Sequence, residues 1–233
     1  MSAAERTLFL LGDSTVASYE PTWHPQAGWG QFLDRFVSGA VRVDNHAIGG
    51  RSARTFREEG RLAAVLERAR PGDTALIQFG HNDSTRAKPE RYSTPAQYRE
   101  ELRGYVAALR ERGVQPVLVT AVSRRDHDPV AGRWAVSFPD YVAGARAVAA
   151  ELDVPLVDLA ASSRAHLERI GPDAAKDLFL HLEPGVSAAH PDGVADDTHF
   201  QERGAQAMAQ LVAEELAGLD LPVSAHLAAA PAV

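Results

Sequence analysis

Cysteine is absent from the 233 residues, which excludes disulfides, thiolate zinc sites and cysteine nucleophiles together. No apolar run approaches the ~20 residues of a membrane span. Only four consecutive apolar residues follow Thr7 before Gly12, too few for the core of a signal peptide, so the chain as given reads as cytoplasmic, with no membrane partner. A basic surplus is also missing: 24 Lys and Arg stand against 31 Asp and Glu, a net charge of -7. Nucleic acid is therefore not an expected partner, because phosphate binding needs a local excess of cations. There is no internal repeat and no low-complexity linker.

What remains is the composition of an ordinary globular protein, 45% hydrophobic and 24% charged, at a length that suits one α/β domain. Residues 1–220 read as that single domain. The Ala/Pro-rich tail, 221–233, has little to pack with and is expected to be mobile. Short β-rich runs at Thr7–Leu11, Val41–Asn45, Ala75–Phe79, Val117–Val122 and Pro155–Val157 alternate with segments of helical period. That alternation predicts a three-layer α/β/α sandwich around a flavodoxin-like, five-stranded parallel sheet. The clearest helix begins at Thr94, which can cap it, with Pro95 in its first turn and Gln97 completing a capping box. Tyr98, Leu102, Tyr105, Val106 and Leu109 share one face, and Gly113 can end it. Further helices are expected over 61–70, 141–151, 159–169 and 201–217.

In open parallel sheets ligands bind beyond the carboxyl ends of the strands. The segments there are "GDSTVAS", "HAIGGRSARTF", "GHNDS" and "SRRDHD", with "DGVADDTHF" just before the last helix. A serine hydroxyl needs a base within hydrogen-bond reach, and the base needs an orienting group. His199 can be the base for Ser14. Asp196, three residues earlier, can fold back toward the imidazole Nδ1, whereas Asp197 is expected to point away. Donors for an oxyanion are available in the N–H groups of Ser14 and Gly50 and in the side-chain amide of Asn82.

Each block alone is weak, since Gly, Asp and Ser are common turn residues. Two other chemistries also fit some of the residues. The Asp, Asn and His of "GD", "GHND" and "DDTH" are of the kind found in two-metal phosphoesterases, and a flavodoxin-like sheet can serve as a non-catalytic binding module. Serine chemistry uses more of the residues than either.

Taken in order, "GDST", "NHAIGG", "GHND" and "DDTH" resemble the four blocks of the SGNH (GDSL-like) hydrolases. "GWGQ", "GGRSARTFREEGR", "QFGHND" and "DDTHFQERGAQAMA" are similar to the rhamnogalacturonan acetylesterase branch, and the resemblance covers nearly the whole chain. It implies Ser14 as nucleophile, Asp196 and His199 as the rest of a triad, Gly50 and Asn82 in the oxyanion hole, and no metal or cofactor. The implied substrate is an acetylated carbohydrate, most naturally a pectin-derived oligosaccharide. A thioesterase or lipase of the same fold shares these motifs. Members of that branch act on plant cell walls outside the cell, so a cytoplasmic chain would suit small imported saccharides.

Among residues beside these blocks, Arg51 and Arg54 are candidates to hold a sugar carboxylate through their guanidinium forks. Arg57 reads rather as part of a solvated face. His81 can line the site. Of the three tryptophans, Trp134 lies in a loop where it could stack on a sugar ring, Trp23 could do the same, and Trp29 between glycines reads equally as packing.

Overall fold

The computed structural model of the chain describes residues 6–227. In chain order the strands are β1 (Arg6–Gly12), β2 (Gln26–Ala27), β3 (Val41–Asn45), β4 (Thr74–Gln78), β5 (Gln115–Val119), β6 (His127–Asp128), β7 (Arg133–Trp134), β8 (Leu156–Val157), β9 (Phe179–Leu182) and β10 (Val194–Gln201). The helices are α1 (Ala53–Glu58), α2 (Arg61–Arg68), α3 (Pro95–Glu111), α4 (Pro139–Glu151), α5 (Leu159–Ile170), α6 (Pro172–Lys176) and α7 (Glu202–Ala217). Five strands form the parallel sheet in the order β3-β1-β4-β5-β8. This is the doubly wound arrangement expected from the alternating pattern.

Both faces of that sheet are covered, and β1 shows why its sequence is a continuous apolar run. Leu8 and Leu10 pack with Trp29 and Leu33 and with Leu159, Met208 and Val212 from α5 and α7. Phe9 and Leu11 face the other way, onto Phe56, Val65, Tyr98, Leu102 and Val148 from α1 to α4. At α3 the Thr94 hydroxyl accepts from the Gln97 amide while the Gln97 side chain reaches back to the Thr94 N–H, the expected reciprocal cap. Gly113 follows α3 with φ +69°, a conformation that disfavours a side chain.

Several features differ from the sequence-based expectation. β5 starts at Gln115 rather than Val117 because Pro116, which lacks a ladder donor, is accommodated near the strand's beginning opposite Ala75. Helix α1 is short and is fixed by a box between Ser52 and Thr55. A second sheet, β2-β10-β9, is antiparallel and carries an irregularity between Asp196 and Phe200. Part of the expected mobile tail is packed: Val223 is buried and the Ser38 N–H donates to the His226 carbonyl. The remainder of it, 228–233, lies outside the described residues. Among the described residues no helix is long and apolar enough to cross a membrane.

Candidate active site

Ser14 stands at the first turn beyond β1. Gly12 opens that turn because nothing larger fits: a Cβ there would lie 2.6 Å from Val16 Cγ2 and 2.9 Å from the Gln78 carbonyl oxygen. A buried chain of hydrogen bonds supports the turn from below. Trp29 Nε1 donates to Gln78 Oε1 (2.9 Å), Gln78 Nε2 to Thr15 Oγ1 (2.7 Å), and the Thr15 hydroxyl to Asp13 Oδ1 (2.8 Å). Trp29 is thereby a core residue whose only polar atom is satisfied.

Asp13 is fully buried, and His81 Nδ1 lies 3.2 Å from its other oxygen. Burial opposes ionisation of Asp13, yet the adjacent His81 and the hydrogen bonds from His81 and Thr15 hold its carboxyl below the usual range. Against an ionised Asp13, His81 donates from Nδ1. Its Nε2 is buried without a partner among the described residues.

His199 arrives from the far end of the chain, 185 residues after Ser14. Its Nε2 is 2.9 Å from Ser14 Oγ, and its Nδ1 is 2.7 Å from Asp196 Oδ2. Asp196 Oδ1 also accepts the N–H groups of Thr198 (2.7 Å) and His199 (3.0 Å), which fixes the carboxylate on the irregular part of β10. Burial pushes the Asp196 carboxyl up, but the His199 contact and these two amides outweigh it and bring it down to about 2. Asp197 faces away, as expected for the next residue of a strand, and meets His181 Nε2 at 2.7 Å and Arg125 Nη1 at 3.2 Å.

Facing Ser14 is the Gly49-Gly50 turn. Gly50 adopts φ +81°, and a Cβ on Gly49 would come within 3.6 Å of Ser14 Cβ. The N–H groups of Ser14 and Gly50 donate to no other protein atom among the described residues. Asn82 Nδ2 donates one hydrogen to the Arg51 carbonyl (2.9 Å), which orients the amide and leaves its second hydrogen free. Ser14, Gly49, Gly50, His81, Asn82 and His199 all border one cavity of about 670 Å³. Such a set offers a nucleophile, a base, an orienting carboxylate and donors for a developing negative charge.

Three residues expected at the substrate are engaged elsewhere, and none lines this cavity. Arg51 Nε reaches both oxygens of Glu59 (3.1 and 3.0 Å) and its Nη1 donates to the Gly49 carbonyl, so it braces the glycine turn. Arg54 pairs with Glu58 and donates to the carbonyls of Glu90 and Tyr92. Trp134 packs its ring on His127 in the β6-β7 hairpin, at a centroid distance of 5.2 Å. Arg57 is held by Glu101 through two hydrogen bonds. The cavity wall is completed instead by Tyr19, Trp23, Lys88, Arg91 and Arg124. Trp23, 49% exposed, is one of the aromatic candidates; Arg91 lies outside every motif, and Arg124 lies in the "SRRDHD" segment, where nothing in the sequence distinguishes it from the neighbouring Arg125.

A profile of the GDSL-like lipase/acylhydrolase family matches residues 10–207. The chain belongs to this family. It is 44% identical, over 94% of its length and 93% of the relative, to the rhamnogalacturonan acetylesterase RhgT of Bacillus subtilis. A probable rhamnogalacturonan acetylesterase of the same organism, YesY, is 40% identical over 93% of this chain and 95% of that one. The crystal structure of Bacillus subtilis protein YxiM superposes with a TM-score of 0.78 at 33% identity, covering 91% of this chain and 56% of the other. As a GDSL-like acylhydrolase the chain is a carboxylic ester hydrolase. The two-metal alternative finds no donor set: among the described residues no three of His, Asp and Glu are grouped as a metal ion would need.

Proposed function

We propose that the protein is a serine esterase that removes acetyl groups from acetylated carbohydrate, with pectin-derived, rhamnogalacturonan-type oligosaccharides as its substrates. The observation that carries the reading is the hydrogen-bonded line from Ser14 through His199 to Asp196 at the edge of an open cavity. The rhamnogalacturonan acetylesterase that shares 44% of its residues supports the substrate class. Trp23, half exposed on the cavity wall, offers a flat apolar face to a sugar ring.

In the cycle, Ser14 Oγ attacks the acetyl carbonyl carbon as its proton passes to His199 Nε2. The carbonyl oxygen takes the negative charge between the N–H groups of Ser14 and Gly50 and the free hydrogen of the Asn82 amide. Asp196 keeps Nδ1 of His199 protonated and stabilises the imidazolium. The carbon–oxygen bond to the sugar then breaks, and the departing oxygen takes the proton from Nε2. Water, deprotonated by the same nitrogen, attacks acetyl-Ser14, acetate leaves, and the serine hydroxyl is restored.

The test is hydrolysis of p-nitrophenyl acetate in the presence of a chelator, followed by acetate release from acetylated rhamnogalacturonan oligosaccharides. Ser14→Ala and His199→Ala are each expected to lower kcat by roughly 10⁴-fold or more, with unchanged circular dichroism. Near-parental rates in either folded variant would remove the triad. Faster turnover of p-nitrophenyl octanoate than of the acetate would point to a general acyl esterase instead.

A further inference from the structure

The protein is acidic overall, yet the cavity beside Ser14 is bordered by three cations, Lys88, Arg91 and Arg124, against one carboxylate, Glu20. Elsewhere around this rim the arginines are consumed: Arg51, Arg54 and Arg57 are each held by a glutamate. Arg91 and Arg124 have no ion-pair partner, and no hydrogen bond from either side chain, among the described residues. The Nε atom of each is buried and unpartnered. A guanidinium partly withdrawn from water without a counter-ion is costly, and the cost is recovered when an anion enters.

The two guanidiniums are also positioned. Nη1 of Arg91 lies 3.7 Å from the point where a Cβ on Gly50 would stand, which puts it beside the oxyanion turn. The Arg124 guanidinium carbon lies 4.9 Å from the centre of the Phe138 ring, and that ring meets His81 edge-on at 4.8 Å. Phe138 holds this place with φ +54°, a left-handed conformation that a bulky residue adopts only where its surroundings enforce it. Arg124, Phe138 and His81 thus form one supported wall, and Arg91 stands next to Gly50.

We propose that Arg91 and Arg124 form a carboxylate-reading subsite, which selects acetylated sugars whose own ring, or whose neighbouring ring, carries a uronate. This deepens the serine-esterase reading above and rests on it. Planar guanidinium forks match a carboxylate, and Lys88, exposed at the rim, adds long-range attraction in a cleft that focuses the field. A neutral acetylated sugar would leave both guanidiniums without a counter-ion. Selection should therefore be expressed mainly in KM.

The experiment compares two substrates that differ only in charge: a monoacetylated methyl galacturonoside with its C6 carboxylate free, and the same compound as the C6 amide. Acetate release gives kcat/KM for each, and the result is read as their ratio, so any loss common to both substrates cancels. The parent enzyme is expected to favour the acid by at least about tenfold, chiefly through KM, and the preference should shrink as salt rises. In Arg91→Met and Arg124→Met the ratio should fall, and in the double variant it should approach one. A ratio near one in the parent, or a ratio unchanged in both variants, overturns the subsite. Ser14-dependent hydrolysis of p-nitrophenyl acetate without preference for the acid would discard the subsite and leave the esterase standing. Absence of Ser14-dependent hydrolysis of every ester would remove both.

Discussion

Asp196 and Asp197 are neighbours on β10 whose carboxylates serve opposite sides of the strand: Asp196 holds His199 Nδ1 at 2.7 Å, and Asp197 holds His181 Nε2 at 2.7 Å. Two His-Asp pairs of equal length therefore sit back to back. Only the first continues to a serine, through the 2.9 Å contact between His199 Nε2 and Ser14 Oγ.

That difference separates two isosteric substitutions. Asp196→Asn is expected to lower kcat/KM for p-nitrophenyl acetate by about 10³- to 10⁴-fold, because an amide no longer enforces the imidazole tautomer that Ser14 needs. Asp197→Asn loosens the contacts to His181 and Arg125 and should stay within about threefold of the parent, as exposed ion pairs contribute little. Equal losses would mean that Asp196 has no special role in orienting His199, and a larger loss in Asp197→Asn would move that role to the pair on the other face of the strand.

The same aspartate has a signature in acid. Its carboxyl is held at about 2, against 3.8 when unfolded. The folded state therefore gains on the order of 2 kcal/mol from Asp196 above pH 4 and loses it as pH falls toward 2. Urea unfolding of parent and Asp196→Asn at pH 6, 4 and 3 should show the stability difference between them narrowing as the pH drops.

Asp83 has the opposite sign. Burial, joined by the nearby charge of Asp13, raises its carboxyl to about 7, although the N–H groups of Ala53 and Gly80 favour the charged form. The folded state then keeps a proton that the unfolded chain has given up, so Asp83 favours folding at low pH and ceases to do so as pH rises through 7. Its contribution to the slope between pH 4 and 7 is a loss of up to about 1.4 kcal/mol per pH unit. Denaturant melts of Asp83→Asn should lack that component of the slope, while starting from a lower stability because one backbone donor loses its acceptor.

Gly12→Ala tests the packing beneath the serine. A methyl group would overlap Val16 Cγ2 and the Gln78 carbonyl oxygen, at a cost of about 1–3 kcal/mol. The displacement is transmitted to the turn that carries Ser14, so kcat should fall together with the melting temperature. A variant with parental stability would mean that the turn yields without cost.

The parallel sheet was readable because its strands are buried on both faces and stand out as short apolar runs. The blocks around Ser14, Gly50, Asn82 and His199 were readable because each follows a strand or precedes a helix. β10 was not, because "VADDTHFQ" is polar, kinked between Asp196 and Phe200, and paired with strands from distant segments. Arg51 and Arg54 looked available because the partners that occupy them, Glu59 and Glu58 together with the carbonyls of Glu90 and Tyr92, are fixed only by the tertiary fold. Arg91 and Arg124 did not stand out for the converse reason: what distinguishes them is that no acid pairs with them in the fold, although Glu90 and Asp126 are close in sequence, and no local pattern of residues encodes that.

The 185-residue separation of Ser14 and His199 also orders events in time. On the ribosome the serine turn emerges early, with its glycine and buried polar supports all encoded by the time residue 81 is reached, and it waits without the His199 imidazole. Its partner arrives only with the penultimate elements, when β10 pairs with β2 and β9 and α7 closes over the sheet. On the proposed mechanism partly made or partly folded chains would be hydrolytically silent, and in refolding the return of ester cleavage should report the last long-range docking rather than the first collapse.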